Sequence, residues 1–149
     1  MNVFTVALFG HRRIDDIRVL YDRLMPIIED LIKTNYYVEF LIGRNGEFDE
    51  CAASIIKYTQ KKIENKNSDI SLILPYIVAD IDYYQKYYDN IIIPDVLQGA
   101  HPKAVITLKN KWMVEKSNLV IVYVEHNDGG AYRAMKYAEK LNKNIVNLV

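Results

Sequence analysis

The chain has very little cysteine, with Cys51 the single one among 149 residues. One thiol excludes an intramolecular disulfide framework and any cysteine-rich zinc site. Cys51 falls on an apolar helical stripe, so we predict a core thiol rather than a nucleophile. The three histidines, His11, His101 and His126, lie far apart and lack metal-ligand spacing. We therefore predict no metal site, and no cofactor is expected.

The sequence also lacks a membrane segment and an excess of charge of one sign. The apolar run from Val3 to Phe9 is too short to cross a bilayer, and no basic segment precedes it. We expect no signal peptide, no membrane partner and a cytoplasmic location. Lys and Arg total 19, as do Asp and Glu, so the formal net charge is zero. The absence of a global positive field argues against nucleic acid as a partner.

What the sequence does contain is a regular alternation of strand and helix patterns. The length of 149 residues predicts one domain, spanning 1–149. Six short apolar runs are typical of buried strands, at 3–9, 37–42, 71–77, 91–93, 119–124 and 144–148. Helical patterns separate them, and Pro26 is expected to kink or split the first helix. The fold class predicted is α/β, a single Rossmann-like, doubly wound, mainly parallel sheet with helices on both faces.

Glycines follow three of the predicted strands. Gly10 and Gly43 end the first two, and the pair Gly129-Gly130 comes after the fifth. Ligands of open parallel sheets bind beyond the carboxyl ends of the strands, so these turns are expected to border one shared cleft. A helical pattern begins directly after the pair. Backbone N–H groups at a helix start favour an anion such as phosphate.

The segment after Gly10 carries two guanidinium groups. Arg12 and Arg13 could clamp a phosphate through paired hydrogen bonds, and the equally weighted alternative is that they are solvated loop residues. His11 is expected to be a hydrogen-bonded loop residue, because no nucleophile is identifiable beside it.

The second glycine turn, from Gly43 to Gly46, leads into a helix that begins with acidic residues. Glu47 and Glu50 would stabilise the helix dipole there, which is a structural role. Asp49 could hold a ribose hydroxyl or stabilise a glycosyl cation. Asp49 and Glu47 are the two candidate catalytic carboxylates.

A tyrosine-rich segment includes Tyr83, Tyr84, Tyr87 and Tyr88, which form two pairs spaced four residues apart. Packing under a loop or a subunit interface in a homo-oligomer is the favoured interpretation. Base stacking is the alternative.

Four segments together resemble the SLOG superfamily. They are Phe9-Gly10-His11-Arg12-Arg13, Gly43-x-x-Gly46-x-x-Asp49, Lys109-Asn110-x-Trp112-Met113-Val114-x-x-Ser117, and Gly129-Gly130-Ala131 with Tyr137-Ala138. The resemblance covers nearly the whole chain and is closest to small stand-alone bacterial proteins. It implies a Rossmann-like sheet that binds a nucleotide or a related sugar phosphate. The implied ligand-binding residues are Gly10, His11, Arg12, Arg13, Gly43, Gly46, Lys109, Asn110, Trp112, Asp128, Gly129, Gly130 and Ala131.

The superfamily includes the Lonely-guy phosphoribohydrolases, the DNA-processing protein A domain and sensors of nucleotide-derived signals. Two departures affect what the resemblance implies. Lys136 stands where the Lonely-guy PGGxGTxxE motif has its glutamate, which argues against that hydrolase activity. Lys109 replaces the arginine of the family's R-N-x-W-M-V segment, which keeps the charge but loses the bidentate fork.

Three functions therefore stay open. The first is binding of a nucleotide or nucleotide-derived ligand, for example as a sensor. The second is an N-glycoside-cleaving hydrolase or transferase acting on nucleoside monophosphates. The third is a protein-interaction module with a vestigial cleft. The absent glutamate favours the first over the second, and the retained glycine turns favour the first over the third.

Overall fold

The structure is a computed structural model that describes residues 2–149. Strands and helices alternate along the chain. The strands are β1 Val3–Gly10, β2 Tyr37–Ile42, β3 Ser68–Ile73, β4 Asn90–Ile92, β5 Leu119–Tyr123 and β6 Asn144–Asn147. The helices are α1 Ile17–Thr34, α2 Glu47–Lys62, α3 Ile81–Tyr87, α4 Val105–Lys116 and α5 Gly129–Lys140, with a short 3-10 helix at Asp95–Leu97.

Within the described residues the six strands form one sheet, in the order β4-β3-β2-β1-β5-β6. Every neighbouring pair is parallel. The chain winds outward from β1 to β4, then crosses to β5 on the other side of β1. This reversal places a topological switch point between β1 and β5, where a crevice opens at the carboxyl edge. The α/β, doubly wound, parallel sheet predicted from the sequence is confirmed.

Both faces of the sheet are covered, because alternate residues of each strand point to opposite sides. On one face Val6 and Leu8 of β1 pack with the apolar stripes of α1 and α2. On the other, Ala7 and Phe9 pack with α4 and α5. The central strands are therefore apolar at successive positions, as strands buried on both faces must be.

Helix α1 begins at Ile17 and continues through its proline. Asp16 caps it by accepting hydrogen bonds from the N–H groups of Arg18 and Val19, at 3.1 and 3.4 Å. Pro26 lies inside α1, which is not split there. Because Pro26 has no N–H, the carbonyl of Asp22 lacks its helical hydrogen bond. Both residues are exposed, so water can donate to that carbonyl instead.

The third strand begins three residues earlier than predicted. Ser68 pairs with Val38 of β2, so the polar Ser68 and Asp69 belong to the strand and not to a turn. The strand ends before Pro75, which has no N–H to donate to the sheet. Its polar residues are tolerated because that end lies at the amino edge, where the side chains are half-buried.

No helix among residues 2–149 is long and apolar enough to cross a membrane.

Candidate functional site

A cleft of about 420 Å³ opens at the carboxyl edge of the sheet, above β1, β2 and β5. Its walls are the segments after β1, β2 and β5, the first turns of α2 and α5, and one side of α4. Helix α4 runs antiparallel to the strands, so its start reaches the same edge. The lining residues are Leu8, Phe9, Gly10, His11, Arg12, Arg13, Gly43, Asn45, Asp49, Ile106, Lys109, Asn110, Met113, His126, Gly129, Gly130, Ala131 and Arg133.

The structure brings together eleven of the fifteen residues that the sequence proposes for the site. Those that line the cleft are Gly10, His11, Arg12, Arg13, Gly43, Asp49, Lys109, Asn110, Gly129, Gly130 and Ala131. Four do not line it, namely Gly46, Glu47, Trp112 and Asp128.

Two of the glycines are required by packing between the first two loops. A methyl group at Gly10 would overlap the ring of Phe48, which is fully buried beneath the cleft. A methyl group at Gly46 would lie 2.5 Å from the Arg12 Cα. Gly46 therefore lets the loop after β2 lie against the loop after β1, and not against a ligand.

Glu47 fastens the same two loops. Its backbone N–H donates to the Arg12 carbonyl at 2.8 Å, and its side-chain Oε1 accepts from the Ile14 N–H at 3.2 Å. These bonds fix the path of the chain through Arg12 and Arg13. The Glu47 carboxylate is thus engaged with backbone and turned away from the cleft.

Trp112 and Asp128 are also directed elsewhere. Trp112 packs against the α4–α5 side of the core, with the Lys116 ammonium 5.8 Å from its ring centre. The exposed Asp128 carboxylate contacts the Nδ1 of His126 at the cleft rim.

Lys109 and Asp49 face the floor of the cleft from opposite walls, with Gly43 between them. A methyl group at Gly43 would lie 3.1 Å from the Lys109 Nζ and 3.2 Å from the Asp49 Oδ2. Only 3% of Lys109 is exposed, yet no carboxylate among residues 2–149 lies within 4.0 Å of its ammonium. Burial lowers the pKa of Lys109, and the nearby Asp49 opposes that shift.

Asp49 is held by the loop that precedes its helix. Its Oδ2 accepts a hydrogen bond from the Asn45 N–H at 2.8 Å. Burial raises the pKa of Asp49, and the Asn45 hydrogen bond and the Lys109 ammonium offset that shift only in part. Asp49 is the one carboxylate among the described residues that line the cleft.

The cleft is strongly cationic although the whole chain is neutral. Arg12, Arg13, Lys109 and Arg133 all line it, against the single carboxylate of Asp49. Within the described part of the chain, none of the four cations has an ion-pair partner within 4.0 Å. Low-dielectric walls concentrate the field of such a cluster inside a cleft.

The start of α5 adds further donors. Gly129 has a φ of +89°, a left-handed conformation that favours glycine, and nothing crowds its α-carbon. The Asp128 side chain makes no capping hydrogen bond, so it does not accept from the backbone N–H groups of the first turn of α5. The first turn of α5 holds no acidic residue. Its N-terminus is therefore available to an anion in the cleft.

Two imidazoles form one rim of the cleft. The rings of His11 and His126 are stacked, with centroids 3.7 Å apart and planes 11° apart. The Glu125 N–H donates to the Nε2 of His11 at 2.9 Å, which leaves the ring hydrogen of neutral His11 on Nδ1. Burial and the neighbouring His126 lower the pKa of His11, while Glu125 and Asp128 oppose that shift.

Sequence reasoning missed seven of the eighteen lining residues, namely Leu8, Phe9, Asn45, Ile106, Met113, His126 and Arg133. A signal existed for Arg133, because it follows Gly129 by one helical turn and side chains lean toward the helix start. The other six depend on how the end of β1, the loops and α4 approach one another. No group of three or more His, Cys, Asp or Glu side chains suited to a metal ion occurs in residues 2–149.

No protein-family model and no curated protein sequence matches the chain. Solved structures do match, and two of them are structures of DNA processing protein A. That of Streptococcus pneumoniae has a TM-score of 0.67 at 14% identity, over 95% of this chain and 49% of its own. That of Helicobacter pylori has a TM-score of 0.64 at 16% identity, over 95% of this chain and 63% of its own.

The chain shares the Rossmann-like fold of these DNA processing protein A structures, a protein that the SLOG superfamily includes. The resemblance drawn from the four sequence segments is thereby confirmed at the level of the fold. The chain spans about half of the Streptococcus pneumoniae protein and less than two thirds of the Helicobacter pylori one.

One expectation drawn from composition is wrong. Zero net charge was our reason to argue against nucleic acid as a partner. The Helicobacter pylori structure with the SLOG fold is described as having a single-stranded DNA binding mode. The net charge of a chain does not report the local field, and here four cationic side chains and only one carboxylate line the cleft.

Proposed function

We propose that the cleft of this SLOG fold binds the phosphate of a nucleotide unit, either a free nucleotide or part of a single strand. The observation that carries the proposal is the buried Lys109 ammonium, which lines the cleft without a carboxylate within 4.0 Å. A buried charge is costly unless it is paired. A bound anion would supply the missing partner.

The anion that fits these donors best is a phosphate. Arg12, Arg13 and Arg133 offer forked donors that match phosphate oxygens, and the α5 N-terminus offers backbone N–H groups. Together they surround a ligand from several sides. Such an arrangement suits a group with three or four acceptor oxygens better than a carboxylate with two.

The nucleotide part of the proposal is supported by the fold and by the place of the cleft in it. The cleft lies at the switch point between β1 and β5, where doubly wound sheets bind nucleotides. The single-stranded DNA binding named for the Helicobacter pylori structure supports a strand as one form of the ligand. Binding without fast turnover would suit a sensor of a nucleotide-derived signal.

A substitution at Lys109 tests the proposal, with Lys111 of the same helix as the matched control. The Lys111 side chain is exposed and lies over the Tyr137 ring, outside the cleft. The probes are AMP, inorganic phosphate and a short 5′-phosphorylated oligothymidylate. Each is titrated by calorimetry into the native protein, Lys109→Met and Lys111→Met.

We expect Lys109→Met to weaken binding of a nucleotide probe by about tenfold or more, since a charge-assisted hydrogen bond is lost. Lys111→Met should stay within about twofold, because an exposed lysine contributes little. The melting temperature of unliganded Lys109→Met should not fall, since methionine removes an unpaired buried charge. AMP and the oligonucleotide distinguish a free nucleotide from a strand. If no probe binds, or if both variants lose affinity equally, the proposal is wrong.

A further inference from the structure

A second cavity, of about 330 Å³, lies beside the cleft between α3 and α2. We call it the tyrosine pocket. It is lined by Arg44, Asp49, Glu50, Ala53, Tyr83, Tyr84, Tyr87 and Tyr88. None of these residues except Asp49 lines the phosphate cleft. Tyr84, Tyr87 and Tyr88 also pack partly against the core, so the pocket has a wall of fixed aromatic rings.

None of the three close pairs among these rings is stacked face to face. Tyr83 and Tyr84 are inclined by 70°, as are Tyr87 and Tyr88, and Tyr84 and Tyr88 by 57°. Tyr83 is 65% exposed, so its ring is not held by packing alone. A flat aromatic group could therefore stack on a tyrosine face in the pocket without first separating a stacked pair.

The remaining lining residues supply both donors and acceptors. The Arg44 guanidinium lies 5.7 Å from the centre of the Tyr84 ring, and its Nη1 contacts the Tyr84 hydroxyl at 3.5 Å. Glu50 and Asp49 provide carboxylate oxygens on the α2 side. A planar heterocycle with amino and carbonyl groups at its edge matches this combination better than a hydrocarbon ring does.

Asp49 connects the two sites, because it lines both the cleft and the tyrosine pocket. Its carboxylate stands opposite Lys109 on the floor of the cleft, with Gly43 between them. A ligand with a phosphate near the α5 N-terminus and a ring in the tyrosine pocket would therefore pass its middle portion over Asp49. In a nucleotide that middle portion is the sugar.

We infer that the tyrosine pocket is a nucleobase subsite, holding the base of the nucleotide whose phosphate occupies the cleft. The inference rests on the proposed function for the phosphate. The volume of about 330 Å³ lies at the lower end of the range of about 300–1,000 Å³ found for ligand sites, which is enough for a single base. Stacking on tyrosine is tolerant of base identity, since every base has an aromatic face.

Five probes that share a sugar and phosphate, four of which carry a base, test the subsite. Ribose 5-phosphate has the sugar and phosphate, and AMP, GMP, CMP and UMP each add one base. The variants are Tyr83→Ala and Arg44→Met, and the control is Tyr36→Ala. Tyr36 is 75% exposed and precedes β2, at the opposite edge of the sheet. Affinities are measured by calorimetry.

We expect at least one nucleoside monophosphate to bind about tenfold more tightly than ribose 5-phosphate. Tyr83→Ala should reduce that advantage severalfold while leaving ribose 5-phosphate unchanged, and Tyr36→Ala should change neither. Saturation transferred from tyrosine ring protons to base protons of the bound ligand gives a second readout that does not depend on a variant folding.

The outcomes separate this inference from the proposal beneath it. If all the monophosphates and ribose 5-phosphate bind equally, and no saturation reaches the base, the subsite is wrong and the phosphate cleft stands. If none of these probes binds, the subsite is wrong, whereas the proposed function is wrong only if inorganic phosphate and the oligothymidylate also fail to bind. Loss of ribose 5-phosphate binding in Tyr83→Ala would also overturn the subsite, because the tyrosine would then act on the fold and not on a base.

Discussion

The imidazole rings of His11 and His126 lie face to face, with their centroids 3.7 Å apart, at the rim of the cationic cleft. The Nε2 of His11 is already used as the acceptor for the Glu125 N–H. A proton added to either ring would place a positive charge against its neighbour. Burial and the neighbouring His126 therefore favour the neutral form of His11 by lowering its pKa, and a bound anion would oppose that preference.

The first prediction concerns this pair and pH. Burial and His126 hold the pKa of His11 below its ordinary 6.5 in the folded protein. The unfolded chain then binds that proton more readily, so stability is lost as pH falls below 6.5. We expect the native protein to have a lower melting temperature at about pH 5.5 than at about pH 7.5, and His11→Asn to reduce the difference. His101→Asn, at an exposed site outside the cleft, is the control. An unchanged difference in His11→Asn would contradict the prediction.

The second prediction concerns the glycine under the cleft. Gly10→Ala should destabilise the protein by about 1–3 kcal/mol, because the added methyl group overlaps the buried Phe48 ring. Gly130→Ala is the matched control, since its methyl group would meet only the Asn110 Nδ2 at 3.7 Å. The control should stay within about 0.5 kcal/mol of the native protein or be more stable, as alanine suits a helix. Urea unfolding measures both. A Gly10→Ala protein as stable as the control would show that Phe48 can move.

The third prediction compares two sets of cations. Arg13 lines the cleft, whereas Lys61 belongs to a shallow groove on α2 that also contains Glu64. Arg13→Ala should weaken binding of AMP or a short oligothymidylate by about tenfold, since a guanidinium donates directly to phosphate. Lys61→Ala should have an effect below about twofold. Calorimetric titration at one ionic strength decides between them. Equal losses would indicate diffuse electrostatics without a specific pocket.

The fourth prediction is that nucleoside monophosphates are not hydrolysed rapidly. Glycoside cleavage by the common route uses two carboxylates, and Asp49 is the one that lines the cleft among residues 2–149. Lys136, at the position of the Lonely-guy glutamate, is exposed on α5 and pairs with Glu139 at 2.8 Å. Release of free base from AMP, CMP, GMP and UMP should be slow in the native protein. Fast release that Asp49→Asn abolishes would establish an enzyme and identify its carboxylate.

The fold follows from patterns that are local in sequence. Apolar runs such as Val3–Phe9 are long enough for one buried strand and too short for a membrane span, and helical stripes separate them. A glycine after the strand marks the carboxyl edge in each of three cases, so a cleft at that edge could be predicted without coordinates. The limits of β3 could not be predicted in this way, because Ser68 belongs to the strand through its pairing with β2, a contact between distant segments.

The sequence by itself determined a doubly wound parallel sheet with glycine turns at one edge, because burial imposes a period that each segment carries on its own. Only the tertiary structure decided which side chains meet there. Strand order brings α4 against the loop after β2, which buries Lys109 opposite Asp49, and it places the tyrosines of α3 beside the same carboxylate. The same folding directs the Glu47 carboxylate to the Ile14 N–H, so that it joins two loops. Such convergence depends on contacts between residues far apart in the chain, and the charge of a local segment does not encode it.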